Sequence, residues 1–248
     1  MVPLIIANWK CNPLTIKEAQ ELFQAINKGA EKNKKAEIVV CPPFLFVFNL
    51  KPYTLHLKLG AQDCFWEQKG AYTGEISPSM LKDAGCEYVI VGHSERRKYF
   101  GETDEMISKK IKSVLEAGLV PIFCAGETEE ERKKQETEII LRKQIIFGLE
   151  AISKAEIGKI VIAYEPVWAI GTGNPCSIEE AQKTGLFIRK LLADNYGPAS
   201  QKTKIIYGGS VNAKNAAGYI REGGLEGLLV GGASLDPKEF AEIAKSVS

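Results

Sequence analysis

The amino-acid sequence predicts an α/β fold of one kind, a single (β/α)8 barrel in which eight parallel strands are ringed by outer helices. Eight short runs rich in Val and Ile recur through the 248 residues. Each is of strand length and apolar throughout, as strands covered on both faces of a parallel sheet must be. Longer stretches of helical period lie between most of them, and such alternation makes a parallel sheet. The turn after the first run reads "ANWKCN", without the GxGxxG of a dinucleotide-binding sheet, and eight units in a chain of this length suit a closed barrel better than a doubly wound sheet. No Ser/Gly/Pro-rich linker interrupts the alternation, so residues 1–248 are expected to form one catalytic domain.

Taken in order, the strands are expected in "PLIIAN", "AEIVVC", "LHLKLGAQ", "EYVIVGH", "LVPIFCAGE", "KIVIAYE", "TKIIYGG" and "LEGLLVGG". The connection after the second, "PPFLFVFNLKP", is short and apolar and carries few helix signals. After the fourth, Thr103 can cap a helix whose Met106, Ile107, Ile111, Val114 and Leu115 share a face, with Gly118 at its C-terminal stop. After the fifth, Glu129 to Leu149 reads as one outer helix, with an acidic start and Glu129/Lys133 and Glu130/Lys134 pairs. After the sixth, Ser177 and Glu180 have capping-box spacing, and Ile178, Ala181, Gly185, Ile188 and Leu192 form the inward stripe. After the eighth, "GGASLDP" can open a short helix at the barrel mouth.

Composition narrows the function. An apolar fraction of 45%, a charged fraction of 25% and a net charge of +1 suit a soluble globular protein and give no reason to expect nucleic acid or a membrane as partner. The six cysteines form no CxxC pair and there are two histidines, so neither a disulfide framework nor a zinc site is expected. "MVPLIIANWK" lacks a basic leader region and reads as a first strand, which makes a reducing cytoplasm the expected location.

In a barrel the chemistry gathers at the carboxyl ends of the strands. Those ends carry Asn8 and Lys10, then Gln62, then His93, Ser94 and Glu95, then Cys124 and Glu127, then Glu165. The last two strands end in glycine, "YGGS" at 207–210 and Gly231-Gly232. One glycine pair makes a tight turn; two on neighbouring strand ends, with a helix start behind, suit a phosphate held by backbone N–H groups. Glu165 lies among Tyr164, Pro166, Trp168 and Ile170, and burial against that apolar cover should raise its pKa and suit it to proton abstraction. Lys10 offers a fixed cation and His93 a donor to a developing enolate oxygen. The stretch Pro166, Val167, Trp168, Ala169, Ile170, Gly171, Thr172, Gly173 is longer than an ordinary connection. Its small tip between Pro166 and Asn174-Pro175 reads as a lid that would keep water from an enediolate.

These residues resemble the triosephosphate isomerase family over the whole length. "NWKCN", "GAQDC", "GAYTGEIS", "VGHSERR", "CAGET", "YEPVWAIGTG", "YGGSV" and "LVGGASL" fall in the family's order and spacing. The resemblance implies a TIM barrel in which Glu165 shuttles a proton between C1 and C2 of dihydroxyacetone phosphate and D-glyceraldehyde 3-phosphate. It implies that His93 polarises the carbonyl as neutral imidazole, aided by Asn8 and Lys10, and that Glu95 is the acidic neighbour of Lys10. Gly171, Ser210 and Gly232, with Gly231 beside them, would bind the phosphate, and no metal or organic cofactor is implied. The family is the standard illustration of a glutamate base, a neutral histidine and a closing lid, so those roles come from the resemblance. It also implies a homodimer in which the loop bearing Thr73 and Gly74 enters the partner near its Asn8 and Lys10.

Two departures stand out. The lid's C-terminal hinge reads Asn174-Pro175-Cys176 where the family commonly begins with lysine, and Cys11 stands where methionine is common. Two other readings stay open on sequence grounds: a Schiff-base aldolase with Lys10 as nucleophile, and a binding protein for phosphorylated ligands without turnover.

Overall fold

Strand residues alternate between two apolar environments, and that alternation closes the sheet. In a computed structural model describing residues 2–31 and 35–247, the strands are β1 (Leu4–Asn8), β2 (Glu37–Cys41), β3 (Lys58–Ala61), β4 (Cys86–Val91), β5 (Val120–Ala125), β6 (Val161–Tyr164), β7 (Lys204–Tyr207) and β8 (Gly227–Val230). All neighbours are parallel, and β1 pairs with β8 as well as with β2, giving a closed barrel in chain order. Leu4, Ile6, Val39, Ile90, Ile122, Cys124, Ala163 and Leu229 point inward and fill the barrel. Their neighbours Ile5, Ala7, Val40, Val89, Val91 and Ile162 point outward and pack with the apolar stripes of the helices.

The helices are α1 (Ile16–Glu31), α2 (Phe44–Leu50), α3 (Pro78–Asp83), α4 (Ser94–Phe100), α5 (Asp104–Glu116), α6 (Glu129–Lys133), α7 (Thr137–Gly148), α8 (Ile178–Tyr196), α9 (Ala216–Arg221) and α10 (Pro237–Ser246). Thr103 caps α5 by accepting the Met106 N–H, and Gly118 follows that helix at φ 69°. Ser177 accepts the Glu180 N–H at the start of α8, and Ala181, Gly185, Ile188 and Leu192 are buried there as the stripe requires. The apolar second connection does fold as α2, burying Phe46, Val47 and Leu50.

Three details differ from the sequence reading. The expected helix from Glu129 to Leu149 is broken: α6 ends at Lys133, Gln135 takes φ 60°, and α7 starts afresh at Thr137. Glu129 pairs with Lys133 at 2.7 Å, whereas Lys134 caps α6 and meets Glu130 through the backbone, its N–H reaching the Glu130 carbonyl at 3.2 Å. The expected helix opening at "GGASLDP" is a 3-10 turn, Gly232–Leu235, and Asp236 caps α10 beyond it. On the otherwise apolar inner side of α5, Lys110 is 3% exposed and pairs with Asp63 at 2.8 Å and with Glu102, while Arg96 reaches the same Asp63 at 2.8 Å. All six cysteines are free thiols.

Candidate active site

The strand ends open into a cleft of about 240 Å³ whose walls include Asn8, Lys10, His93, Glu165, Ser210 and Gly231, with Gly232 beside them and Ile170, Gly171 and Gly173 of the lid above. Asn8 is the last residue of β1, 5% exposed, and its Oδ1 accepts the Lys10 N–H at 3.1 Å. That bond belongs to a turn in which Lys10 adopts φ 56°, the left-handed region that side-chain-bearing residues rarely enter. Gln62 braces the turn from the end of β3, donating to the carbonyls of Lys10 (2.8 Å) and Cys41 (2.9 Å). The Lys10 ammonium is thereby aimed across the mouth, where it meets Glu95 Oε1 at 2.5 Å.

His93 follows β4 and is 6% exposed. Its Nδ1 accepts the Glu95 N–H at 3.2 Å, so the proton of a neutral ring resides on Nε2. Nε2 lies 3.1 Å from Glu165 Oε1. Glu165 itself is 1% exposed, one residue beyond β6; its Oε2 accepts the Ser94 N–H at 2.9 Å, while the buried Oε1 makes no well-formed hydrogen bond and faces His93 Nε2. The Glu165 N–H donates to the Ala125 carbonyl at 2.8 Å, extending the β5–β6 ladder past the strand end. Beneath it, burial first and then the Glu165 carboxylate push the Cys124 thiol well above its ordinary range, which keeps that sulfur protonated.

Not every strand-end residue joins the cleft. Glu95 touches it only through Lys10 and His93. Glu127 turns behind the lid instead: it is 1% exposed, and its Oε1 accepts Trp168 Nε1–H at 2.8 Å and the Tyr164 hydroxyl at 3.2 Å. Burial raises the pKa of this carboxyl above the usual carboxylate range.

Trp168 belongs to a 3-10 turn, Val167–Ala169, which begins directly after Pro166 and turns the indole away from the cleft, where Arg132 stacks 3.9 Å over its ring. The same turn is held from the glycine loop by Ser210 Oγ, which donates to the Ala169 carbonyl at 2.6 Å. Beyond it Thr172 Oγ1 donates to the Ala169 carbonyl and accepts the Asn174 N–H, while Gly171 and Gly173 take φ 69° and 72°. Thr73 and Gly74 stand elsewhere, on an exposed loop after β3 tied by Phe65 N–H to the Ile76 carbonyl and by the packing of Phe65 on Tyr72.

Against known proteins, a family model described as triosephosphate isomerase matches residues 3–247. The chain belongs to the triosephosphate isomerase family. Proteins named triosephosphate isomerase from Dictyoglomus thermophilum and Aquifex aeolicus are 50% and 49% identical to it, each over 98% of both chains. One from Geobacter metallireducens is 46% identical over 97% of both. The triosephosphate isomerase family is one of isomerases, and the chain is an enzyme of that class.

Sequence reasoning passed over two residues that shape this triosephosphate isomerase family site. Gly126 lets β5 run hard against Glu165, and Tyr207 lies beneath the glycine loop with its hydroxyl on the Cys176 N–H at 3.1 Å. The glycine of "CAGET" was a visible signal for the first. No pattern marks the second, because its partner is a backbone group 31 residues away.

Proposed function

We propose that this enzyme interconverts dihydroxyacetone phosphate and D-glyceraldehyde 3-phosphate. Glu165 Oε1 removes a proton from the hydroxyl-bearing carbon next to the carbonyl; the C–H pair becomes a carbon–carbon double bond and the carbonyl π pair moves to oxygen, giving an enediolate. The same carboxyl then returns the proton to the former carbonyl carbon, while the hydroxyl proton passes from one substrate oxygen to the other by way of His93 Nε2, leaving the carbonyl on the carbon that was deprotonated. His93 Nε2–H stabilises the developing oxyanion, with Asn8 and the Lys10 cation beside it. Backbone N–H groups of Gly171, Ser210 and Gly232, next to Gly231, hold the phosphate, and the lid from Pro166 to Gly173 keeps water from the intermediate. Two protons change places, one between carbons and one between oxygens, and no electrons leave the substrate, so the reaction calls for neither a metal nor an organic cofactor.

The observation that carries this reading is the Glu165–His93 pair: a buried carboxylate oxygen that makes no well-formed hydrogen bond, 3.1 Å from an imidazole nitrogen whose proton the Glu95 N–H assigns. Lys10 is committed to Glu95 at 2.5 Å, which suits a fixed cation and disfavours the free amine that a Schiff-base aldolase needs.

The working unit in this proposal is a homodimer, with Thr73 and Gly74 reaching toward the partner's mouth. In support, Leu14, Leu45, Phe48, Tyr72, Tyr99 and Phe100 are exposed large apolar residues, and they follow β1, β2, β3 and β4, four consecutive strands on one side of the barrel. The role is that of one catalytic domain, residues 1–248, serving glycolysis and gluconeogenesis in the cytoplasm. Among the described residues no helix is long and apolar enough to cross a membrane.

The test is to assay the purified protein for triose phosphate interconversion beside Glu165→Gln. The parent is expected to turn over, and the variant to bind 2-phosphoglycolate, a phosphorylated mimic of the enediolate, with kcat lower by about 10²–10⁴-fold. A variant within tenfold of the parent would remove Glu165 as the base.

A further inference from the structure

The lid's C-terminal hinge is held from below by two stacked phenols, and one of them has no part in the mechanism proposed above. Asn174, Pro175 and Cys176 form the hinge, and Pro175 has no N–H to give. Asn174 is tied at both backbone groups within the lid, to Thr172 Oγ1, whereas Cys176 is tied at both to the barrel side. Its N–H donates to Tyr207 Oη at 3.1 Å, and its carbonyl accepts the Tyr219 hydroxyl at 2.5 Å. The two rings stack with centroids 3.9 Å apart and planes 16° from parallel. Tyr207 is fully buried and Tyr219 1% exposed, so neither bond has water to replace it when it breaks.

Tyr219 sits on α9, and α9 is fastened to the glycine-rich loop proposed to hold phosphate. Asn215, at the start of that helix, donates from Nδ2 to the Ser210 carbonyl at 3.3 Å and accepts the Asn212 N–H at 2.9 Å. On its other side α9 lies so close to α8 that a methyl at Gly218 would fall 2.3 Å from Ile178 Cδ1. The phenol is thus carried on a short element wedged between the Ser210 loop and the helix into which the hinge runs. Burial raises the Tyr219 pKa above its ordinary range, so the hydroxyl remains a donor at every working pH.

The geometry points to Tyr219 as a positioning residue for the lid: its hydroxyl fixes the Cys176 carbonyl in the orientation that lays the lid over the cleft, and couples that orientation to the Ser210 loop. This inference rests on the proposed reading of the cleft, because a lid matters only if the cleft holds an intermediate worth covering.

Tyr219→Phe tests it, since the substitution removes the hydroxyl and keeps the stacked ring. Tyr196→Phe is the control: Tyr196 also donates to a backbone carbonyl, that of Leu149 at 2.9 Å, remote from the hinge. Both variants should lose a few degrees of thermal midpoint. Only Tyr219→Phe should bind 2-phosphoglycolate about three- to tenfold more weakly. In 5-fluorotryptophan-labelled protein, its Trp168 ¹⁹F resonance should also move away from the position that saturating ligand gives the parent. Tyr219→Phe binding within twofold of the parent, or a matching loss of affinity in Tyr196→Phe, would overturn the inference while leaving the isomerase reading intact if the parent still interconverts triose phosphates. A parent that neither turns over nor binds 2-phosphoglycolate would overturn both.

Discussion

A methyl group added at Gly126 would stand 1.7 Å from the Glu165 carbonyl oxygen, so β5 and β6 can approach at the height of the proposed base only where that side chain is missing. Gly126→Ala must push the two strand ends apart. It should lower the thermal midpoint by roughly 2–12 °C, from a cost of about 1–3 kcal/mol, and reduce kcat as Glu165 shifts from His93; calorimetry and a steady-state assay check the two halves. Gln62 acts at the opposite wall. Gln62→Met would orphan the Lys10 carbonyl, leave the Cys41 carbonyl with the Trp9 N–H alone, and free Lys10 from its left-handed turn, so kcat/KM should fall about tenfold while the Glu165–His93 pair stays in place. At this scale the sequence was informative up to the last residue of each strand. Asn8, His93 and Glu165 could be found by asking which polar residues follow an apolar run. Where a side chain goes beyond the strand is set by loop dihedrals, such as φ 56° at Lys10 and 74° at Gly92, and period-2 patterning is silent about those. That is why Glu127, which stands at a strand end like the others, turns behind Trp168 rather than into the cleft.

Among the elements, strands were legible because each is apolar on both faces, and α5 and α8 because their caps and stripes agree. Boundaries were less so: "LHLKLGAQ" yields a ladder only over Lys58–Ala61, four residues of the eight. The division between α6 and α7 had no sequence signal, as Gln135 is an ordinary helix former that the structure places in the left-handed region. The capping box of Thr128 and Glu131 at the start of α6 is reciprocal, and its spacing is legible in the sequence beside the acidic run. Between α7 and β6, Glu156 fastens its loop to α5: Oε1 accepts Lys112 Nζ at 2.8 Å, and Oε2 accepts the Ser153 N–H and hydroxyl. The Lys112 bond, then the Ser153 bonds, hold this carboxyl down to about 2 from an ordinary 4.5. A pKa lower in the folded state means stability that is present above pH about 4.5 and lost as pH falls through about 2. Glu156→Gln should therefore unfold at a lower temperature than the parent at pH 7, and the gap should close on acidification; thermal melts at pH 7, 4 and 2 measure it.

For the molecule as a whole, the proposed dimer is the first quantity to measure. Sedimentation equilibrium should give twice the mass of one chain, and Thr73→Arg, which puts a charge on the exposed loop tip, should shift the mass toward that of a single chain and lower kcat/KM at least tenfold. A dimer of undiminished activity in that variant would detach the loop from the mouth. The barrel itself was the most legible feature, because eight apolar runs separated by helical segments leave few other ways to cover every strand. Its closure also has a bearing on how the chain comes into being. Leu4–Ala7 find one of their two neighbours in Gly227–Val230, the last strand to be synthesised. At ribosomal rates of about 5–20 residues per second, roughly 10–45 s pass between the emergence of the first strand and that of its final partner. Throughout that interval "LIIAN" presents an unpaired apolar edge, and the nascent protein needs shelter from its neighbours long before it has a cleft to offer a substrate.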